Sequence, residues 1–465
     1  MATFQIKQGQ DIRLKGAAPK EIVTLSLPRQ VAVIPSDFRG IKAVLCVKVN
    51  DAVKVGTPLF EDKHCPEIKV VSPVSGRVVA IDRGDKRFLQ DILLESDGRQ
   101  EALPSPQVPS GTLWRGASGQ RKFSRSEIPG LSKEEVEKTL LQSGLWPVLR
   151  QRPFSKVAHP HQSPKSIFVH AMNTEPLAAD VDFILQGKEE QFQTGLNVLQ
   201  RLTKGKVYVC ARYGAESKAL TQARDVETHY FAGPHPAGNV STHIHYLDQI
   251  RKGEHVWYVE AQDVVRIGSL FLEGVYSPER VVAVTGEGAE RRFYARTILG
   301  APVSILLKGS NPEGMRCISG SVLAGREVGK DGYLSFYDSQ LTVIPEGGKR
   351  VLLGWLSPGF DKYTFSKTFV SSFLPEKKEV SLTTDKQGSD RAIVLNHIYD
   401  SLVPLDIMVY FLLKAVIGGD IEEAEKLGIL ECDEEDFALC SFACPSKTDV
   451  GTIIREGLEL IEKEG

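Results

Sequence analysis

The sequence predicts a multidomain α/β protein, and three observations carry that prediction. The first hundred residues alternate apolar and polar positions between turn signals, strands and amphipathic helices alternate from about 130 onward, and helical periodicity takes over near the C-terminus. A length of 465 residues suggests about three domains, and 42% apolar residues are ample for several cores. A net charge of −2 gives no global attraction to nucleic acid or anionic lipid. Seven scattered cysteines, and no signal-peptide pattern after Met1, predict a reducing cytoplasm. The most apolar helical stretch, 405–418, is too short to span a bilayer and carries Asp406 and Lys414, so membrane attachment is expected through a partner.

Taken in order, residues 1–102 read as a β domain. The runs 47–60 and 71–79 place apolar residues at period two, divided by Asn50-Asp51, Gly56 and Ser72-Pro73. The pattern resembles the barrel-sandwich fold of lipoyl and biotinyl carriers, whose cofactor sits on a lysine at a hairpin tip. Lys63 is the one candidate, but its loop is too long and contains Pro66, so it reads as a solvated loop residue.

Residues 103–130 are rich in Pro, Ser and Gly and read as a linker. Ser132 with Glu135 then forms a capping box, Val136, Leu140 and Leu141 supply an apolar stripe, and Gly144 with Pro147 ends the helix. A strand at 167–169, a helix at 189–202 and a strand at 207–211 predict a Rossmann-like βαβ unit within 131–260. The loop after Gly144 is unsuited to cradling a phosphate. Trp146, Pro147 and Pro153 stand where glycines would let backbone amides approach an anion. Arg150, Arg152 and Lys156 offer side-chain charge instead, read as a basic rim toward solvent or an acidic partner. The sequence from Thr285 to Arg291 reads as a hairpin turn after a strand at 281–284, and 303–307 as a further strand.

Two constellations invite a metal or cluster. His243 and His245, read as a strand, would share one face, with His229, His235 and Asp248 nearby; this is a weak metal candidate beside the plainer reading of turn-capping histidines. Cys440, Cys444 and Pro445 match the end of a C-x2-C-x2-C-x3-C-P ferredoxin run. The two upstream positions are Glu434 and Phe437, and Cys432 is out of register, so half the ligands are missing. The aromatic residues Tyr333, Phe336, Tyr337, Trp355, Phe360, Tyr363 and Phe365 could line a quinone-sized pocket or form an ordinary β core. Helices divided at Gly418-Gly419 complete a small helical domain over 379–465.

Arg152-Pro-Phe-Ser-Lys156, Ile167 to Asp180, Phe231-Ala-Gly-Pro-His-Pro-Ala-Gly238, Thr242-His-Ile-His245, Ile318-Ser-Gly-Ser-Val322 and Leu439-Cys-Ser-Phe-Ala-Cys-Pro445 follow one another in an order that spans the chain. Through them it resembles the NqrA family of the bacterial sodium-translocating NADH:quinone oxidoreductases. That family is similar to the C subunit of the Rnf complex and to the flavin-binding, NADH-oxidising subunit of complex I. The resemblance implies a β-grasp (SLBB-like) module within 261–378. It also implies a vestigial flavin pocket at Gly144, Arg150, Arg152, His170 and Glu175, and a vestigial cluster at Cys440 and Cys444. His170, Met172 and Asn173 replace the asparagine and acids of the relatives' second flavin segment. The implied role is a cofactor-free peripheral subunit on the cytoplasmic face of the inner membrane. It would dock on a membrane-embedded subunit of a complex that uses NADH, flavins, iron–sulfur, ubiquinone and sodium. The competing class is an autonomous flavin-dependent dehydrogenase or a histidine-based metalloenzyme.

Overall fold

A computed structural model describes residues 1–84, 88–101, 122–307, 313–348, 354, 356–360, 362–373 and 379–464. Most of the predicted linker, and Trp355, lie outside these residues. Two small sheets build the N-terminal β region. One orders the strands Gln30–Val33, Leu89–Ser96, Gly76–Arg83 and Ala52–Val53, and the other Ala43–Leu45, Pro58–Asp62 and Lys69–Val71; all their pairings are antiparallel. Val31, Leu59, Phe60, Val74, Val78 and Leu94 fill the space between them, as period-two alternation with one buried face requires.

The central element is a seven-stranded sheet. Its order is Thr3–Gln5, Glu227–Ala232, Val207–Arg212, Ile167–Ala171, Val256–Glu260, Arg150–Arg152, Lys156–Val157, the first five parallel and the last two antiparallel. The helices Glu189–Gln200 and Ala261–Glu273 pack together through Gly195 and Gly268. A Cβ on Gly268 would meet Gln191 O at 1.7 Å, so the close approach demands glycine there. The predicted capping box is present: Ser132 accepts from Glu135 N and the Glu135 carboxylate accepts from Ser132 N. Gly144 closes that helix at φ 73° and abuts Val71 of the β region.

A six-stranded sheet follows, with Glu279–Thr285 and Phe293–Ile298 as an antiparallel hairpin around the predicted turn. The expected strand at 303–307 is instead the helical turn Val303–Leu306. Pro302 holds its N-terminus extended, Leu307 N bonds Val303 O at 3.0 Å, and Val303 and Leu306 are buried together at a spacing of three. A run of β-branched residues gave the wrong period, and burial decided. The first 29 residues also depart from the sequence reading: Thr3–Gln5 edges the central sheet and Ile22–Thr24 pairs with Tyr294–Arg296 of the six-stranded one. The C-terminal helices include Val409–Gly418, Ile421–Lys426 and Val450–Glu464. Gly419 in the left-handed region and an Asp420 N-cap separate the first two, as the Gly-Gly signal indicated.

Candidate functional site

Parallel α/β sheets place ligands beyond the carboxyl ends of their strands. A cavity of about 420 Å³ lies there, off Ala171 and Arg212. Small residues such as Ala17, Ala178 and Ala215 line it, with Lys20, Asp180, Asp182, Arg212 and Tyr294 as its polar walls. Lys20 Nζ pairs with Asp180 Oδ2 at 2.6 Å, and Asp182 accepts from Ser217 N at 2.8 Å. The sequence reading gave no site role to Lys20 or these aspartates; the helix N-caps at Asp180 and Ser217 were the available signal.

The five residues assigned to a vestigial flavin pocket do not converge on that cavity. Trp146 is fully buried, donates Nε1–H to Ala158 O at 2.7 Å and meets Trp257 edge-on, so the loop after Gly144 is filled by its own side chain. Arg150 lies between the rings of Tyr258 and Tyr337, 4.4 Å from each centroid, and pairs with Glu260 at 3.1 Å. His170 Nδ1 lies 2.9 Å from Glu260 Oε2, and its Nε2 lies 2.6 Å from Gly238 O. Two acceptors require two N–H groups, so the ring is an imidazolium. Burial opposes that charge, but Glu260 and Gly238 O prevail and lift its pKa to about 9. Glu175 accepts from Ser321 Oγ at 2.7 Å and from Asn173 at 3.1 Å, and burial pushes its pKa up.

The basic loop does not face solvent. Arg152 is 1% exposed, with Nη1 3.2 Å from Asp433 Oδ2 and Nη2 2.7 Å from Glu435 Oε1. Lys156 pairs with Glu462, Arg39 with Glu434, and Ser155 donates to Asp433 at 2.5 Å. The acidic partner expected for this loop is therefore the chain's own C-terminal region. The loop is corrected as a docking surface for a separate protein, because its charges are already used internally. The sequence offers a second basic cluster as a docking surface, Arg121-Lys122 and Arg125 in the linker; Arg121 lies outside the described residues and Arg125 pairs with Glu190.

Glu434 and Phe437, at the missing cluster positions, are built into this junction: Glu434 binds Arg39 and Phe437 is buried. Cys432, Cys440 and Cys444 are buried and free, and among the described residues they do not bring three ligand atoms within 4.8 Å of one another. Cys440 Sγ points toward Tyr399 O at 4.0 Å, whereas Cys444 Sγ lies 3.0 Å from Tyr399 Oη and accepts from Thr448 N at 3.4 Å. The donor set does not fit a four-thiolate cluster.

The histidine pair is also corrected. His243 and His245 lie on the helix Val240–Leu247, where two residues separate side chains by about 200°. His243 is buried beside Phe231 and burial holds it neutral, while His245 pairs with Glu431 at 2.8 Å. Asp248 is paired with Lys165, and His235, buried, falls to about 3. Nor do the described aromatics share one pocket: Phe336 and Tyr337 pack on Phe38, whereas Tyr363 lies 5.9 Å from Phe442. Lys63 is exposed beside the turn after Pro58–Asp62. Among the described residues no helix is long and apolar enough to cross a membrane.

Comparison with known proteins follows this architecture. Residues 4–97 match the NqrA N-terminal barrel-sandwich hybrid domain, 131–276 the NqrA second alpha/beta domain and 281–330 the NqrA C-terminal domain. The chain is 40% identical to the NqrA subunit of the Na(+)-translocating NADH-quinone reductase of Tolumonas auensis, over 99% of each chain. It is 41% identical to that of Neisseria meningitidis, over 99% of this chain and 100% of the other, and 40% identical to that of Yersinia pseudotuberculosis over the same shares. A chain of a NAD+-reducing [NiFe]-hydrogenase aligns over 40% of this chain and 41% of its own with 15% identity and a TM-score of 0.32, too low to indicate a shared fold.

Proposed function

This chain belongs to the NqrA family of the Na(+)-translocating NADH-quinone reductase, and we propose that it serves that complex without a redox group of its own. In this reading it is a peripheral subunit on the cytoplasmic face of the inner membrane. It docks on a membrane-embedded partner and supports reduction of ubiquinone coupled to sodium export, while flavin and iron–sulfur chemistry reside in other subunits. The α/β region is read as a Rossmann-like unit (131–260), flanked by the barrel-sandwich domain (1–102), an SLBB-like region (261–378) and a helical domain (379–465).

The observation that carries this reading is chemical. Groups that would face a flavin or hold a cluster are engaged with one another: Trp146 fills the loop, Arg152 binds Asp433 and Glu435, and Glu434 and Phe437 replace two thiolates. Releasing Arg152 to bind a ligand would break its ion pairs with buried Asp433 and the partly exposed Glu435 and leave its own buried guanidinium to be paired anew. The test is the visible spectrum and NADH oxidation of the purified, folded chain. Colourless, inactive protein that restores quinone reduction when recombined with the other subunits is the expected result. Stoichiometric flavin or iron–sulfur bands would overturn it.

A further inference from the structure

We propose that Cys65, Glu67 and His161 form a zinc-binding site that ties the barrel-sandwich domain to the second α/β domain. One ligand atom from each, the Cys65 sulfur, a Glu67 carboxylate oxygen and a His161 ring nitrogen, lies within 4.8 Å of the others, the one such trio among the described residues. His161 Nε2 is 3.0 Å from Glu67 Oε2. In a tetrahedral zinc site with bonds of about 2.0–2.3 Å, donors stand about 3.3–3.8 Å apart. Side-chain rotation alone closes the difference, because Glu67 and His161 are more than half exposed. The donor set of one thiolate, one imidazole and one carboxylate suits zinc and leaves a fourth position open to water.

The cysteine sits on an anchored turn. Cys65-Pro66-Glu67-Ile68 is a tight turn closed by Ile68 N on Cys65 O at 2.9 Å. Buried Asp62 fixes the turn by accepting from Cys65 N at 3.0 Å and from Lys42 N at 2.8 Å. On the facing side, His159-Pro160-His161 forms a turn in which Gln162 N bonds His159 O at 3.1 Å, and Gln151 Oε1 accepts from His159 N at 3.2 Å. Both turns are therefore anchored before any ion arrives, which is the requirement for affinity without a large ordering cost. The two halves come from separately matched domains, 4–97 and 131–276, so the ion would act as a clasp between them.

The test uses tag-free full-length chain, reduced and stripped with chelator, then titrated with zinc against a chromophoric competitor and, separately, with cobalt. One equivalent of zinc should bind and raise the melting temperature, and cobalt should give a sulfur-to-metal charge-transfer band. His161→Ala should weaken zinc binding by about a hundredfold or more and abolish the thermal shift. Its ring is 65% exposed, so the variant should fold. Cys65→Ser should remove the charge-transfer band. Absence of a stoichiometric site, or a site that His161→Ala leaves unchanged, would overturn the proposal. Neither outcome depends on the spectrum or activity that tests the proposed function.

Discussion

Asp263 and Asp433 are both buried carboxylates gripped by arginines, and they differ in what they join. Asp263, fully buried, receives Arg280 Nη2 on both oxygens at 2.8 and 2.9 Å and Arg266 Nη1 at 2.7 Å, all within 17 residues of chain. Asp433 sits among Arg39, Arg152 and Arg455 at 3.2–3.7 Å with Ser155 at 2.5 Å, drawn from the N-terminal region, the antiparallel edge of the central sheet with its turn, and the last helix. The local cluster is geometrically complete on its carboxylate. The distant one is assembled from several domains and leaves Arg152 Nη1 and Asp433 Oδ1 without a well-directed hydrogen bond. The first therefore braces one hairpin–helix unit, while the second is the joint holding the C-terminal helices to the rest. Burial alone would raise both acids, yet the arginines hold both below the usual carboxylate range.

Removing each acid should separate these roles. Asp263→Ala leaves two buried guanidinium groups uncompensated and should cost about 3–5 kcal/mol of global stability in denaturant unfolding. Asp433→Ala should cost less, about 3 kcal/mol, because Arg39 keeps Glu434 and Arg152 keeps Glu435. Its effect should be regional, with the segment 379–464 losing hydrogen-exchange protection before the central sheet does. If both variants unfold the whole chain in one transition of equal depth, the distinction between brace and joint is wrong.

That contrast also marks what the sequence could reveal. The capping box at Ser132 and Glu135, the Gly419 helix stop and the hairpin after Thr285 were legible because their signals lie within a few residues of one another. The charge partners of Arg152 were not, because Glu435 stands 283 residues away and Asp433 beside it, and no local pattern links them. The degenerate cysteine run did point to the right segment. What it could not show was that Glu434, read as a lost ligand, serves as the anchor of Arg39. His243 and His245 were misplaced for a local reason: a His-x-His spacing shares one face only at period two, whereas Asn239 begins a helix there.

The His170–Glu260 pair extends the contrast, since here the buried charge is a histidine whose partner lies on the neighbouring parallel strand. Its folded pKa, about 9, exceeds the ordinary value of 6.5. Below pH 6.5 both folded and unfolded chains carry the proton and the contribution is full. Between 6.5 and 9 only the folded chain keeps it, so stability falls as pH rises and the contribution is lost above 9. The expected amplitude is about 3 kcal/mol at most. His170→Gln should flatten this slope in unfolding measured across that range, and an unchanged slope would show that the imidazolium reading is wrong.

The weakest responses are expected at the cysteines, where two neighbouring thiols differ as the two aspartates do. Cys440 is fully buried, and burial pushes its pKa well above the ordinary thiol range, so it behaves as a small hydrophobe. Burial acts on Cys444 in the same direction, but the Tyr399 hydroxyl and the amides of Thr448 and Ser446 outweigh it and bring its pKa below the ordinary value. Cys440→Ala should therefore be nearly neutral, about 1 kcal/mol, and Cys440→Ser worse, because its hydroxyl enters an apolar core. At Cys444 the order should reverse: serine can still meet Tyr399 and Thr448, while alanine removes one of the two side-chain partners of the buried tyrosine hydroxyl and leaves it Asn396, at about 1 kcal/mol. Unfolding of the four single variants measures this crossover. On the proposed function, all four should retain electron transfer in the assembled reductase, since the observed contacts of these sulfurs are packing and hydrogen bonds. An assembled complex that stops transferring electrons on Cys444→Ser would give that sulfur a ligand's role, which the geometry around Tyr399 does not support.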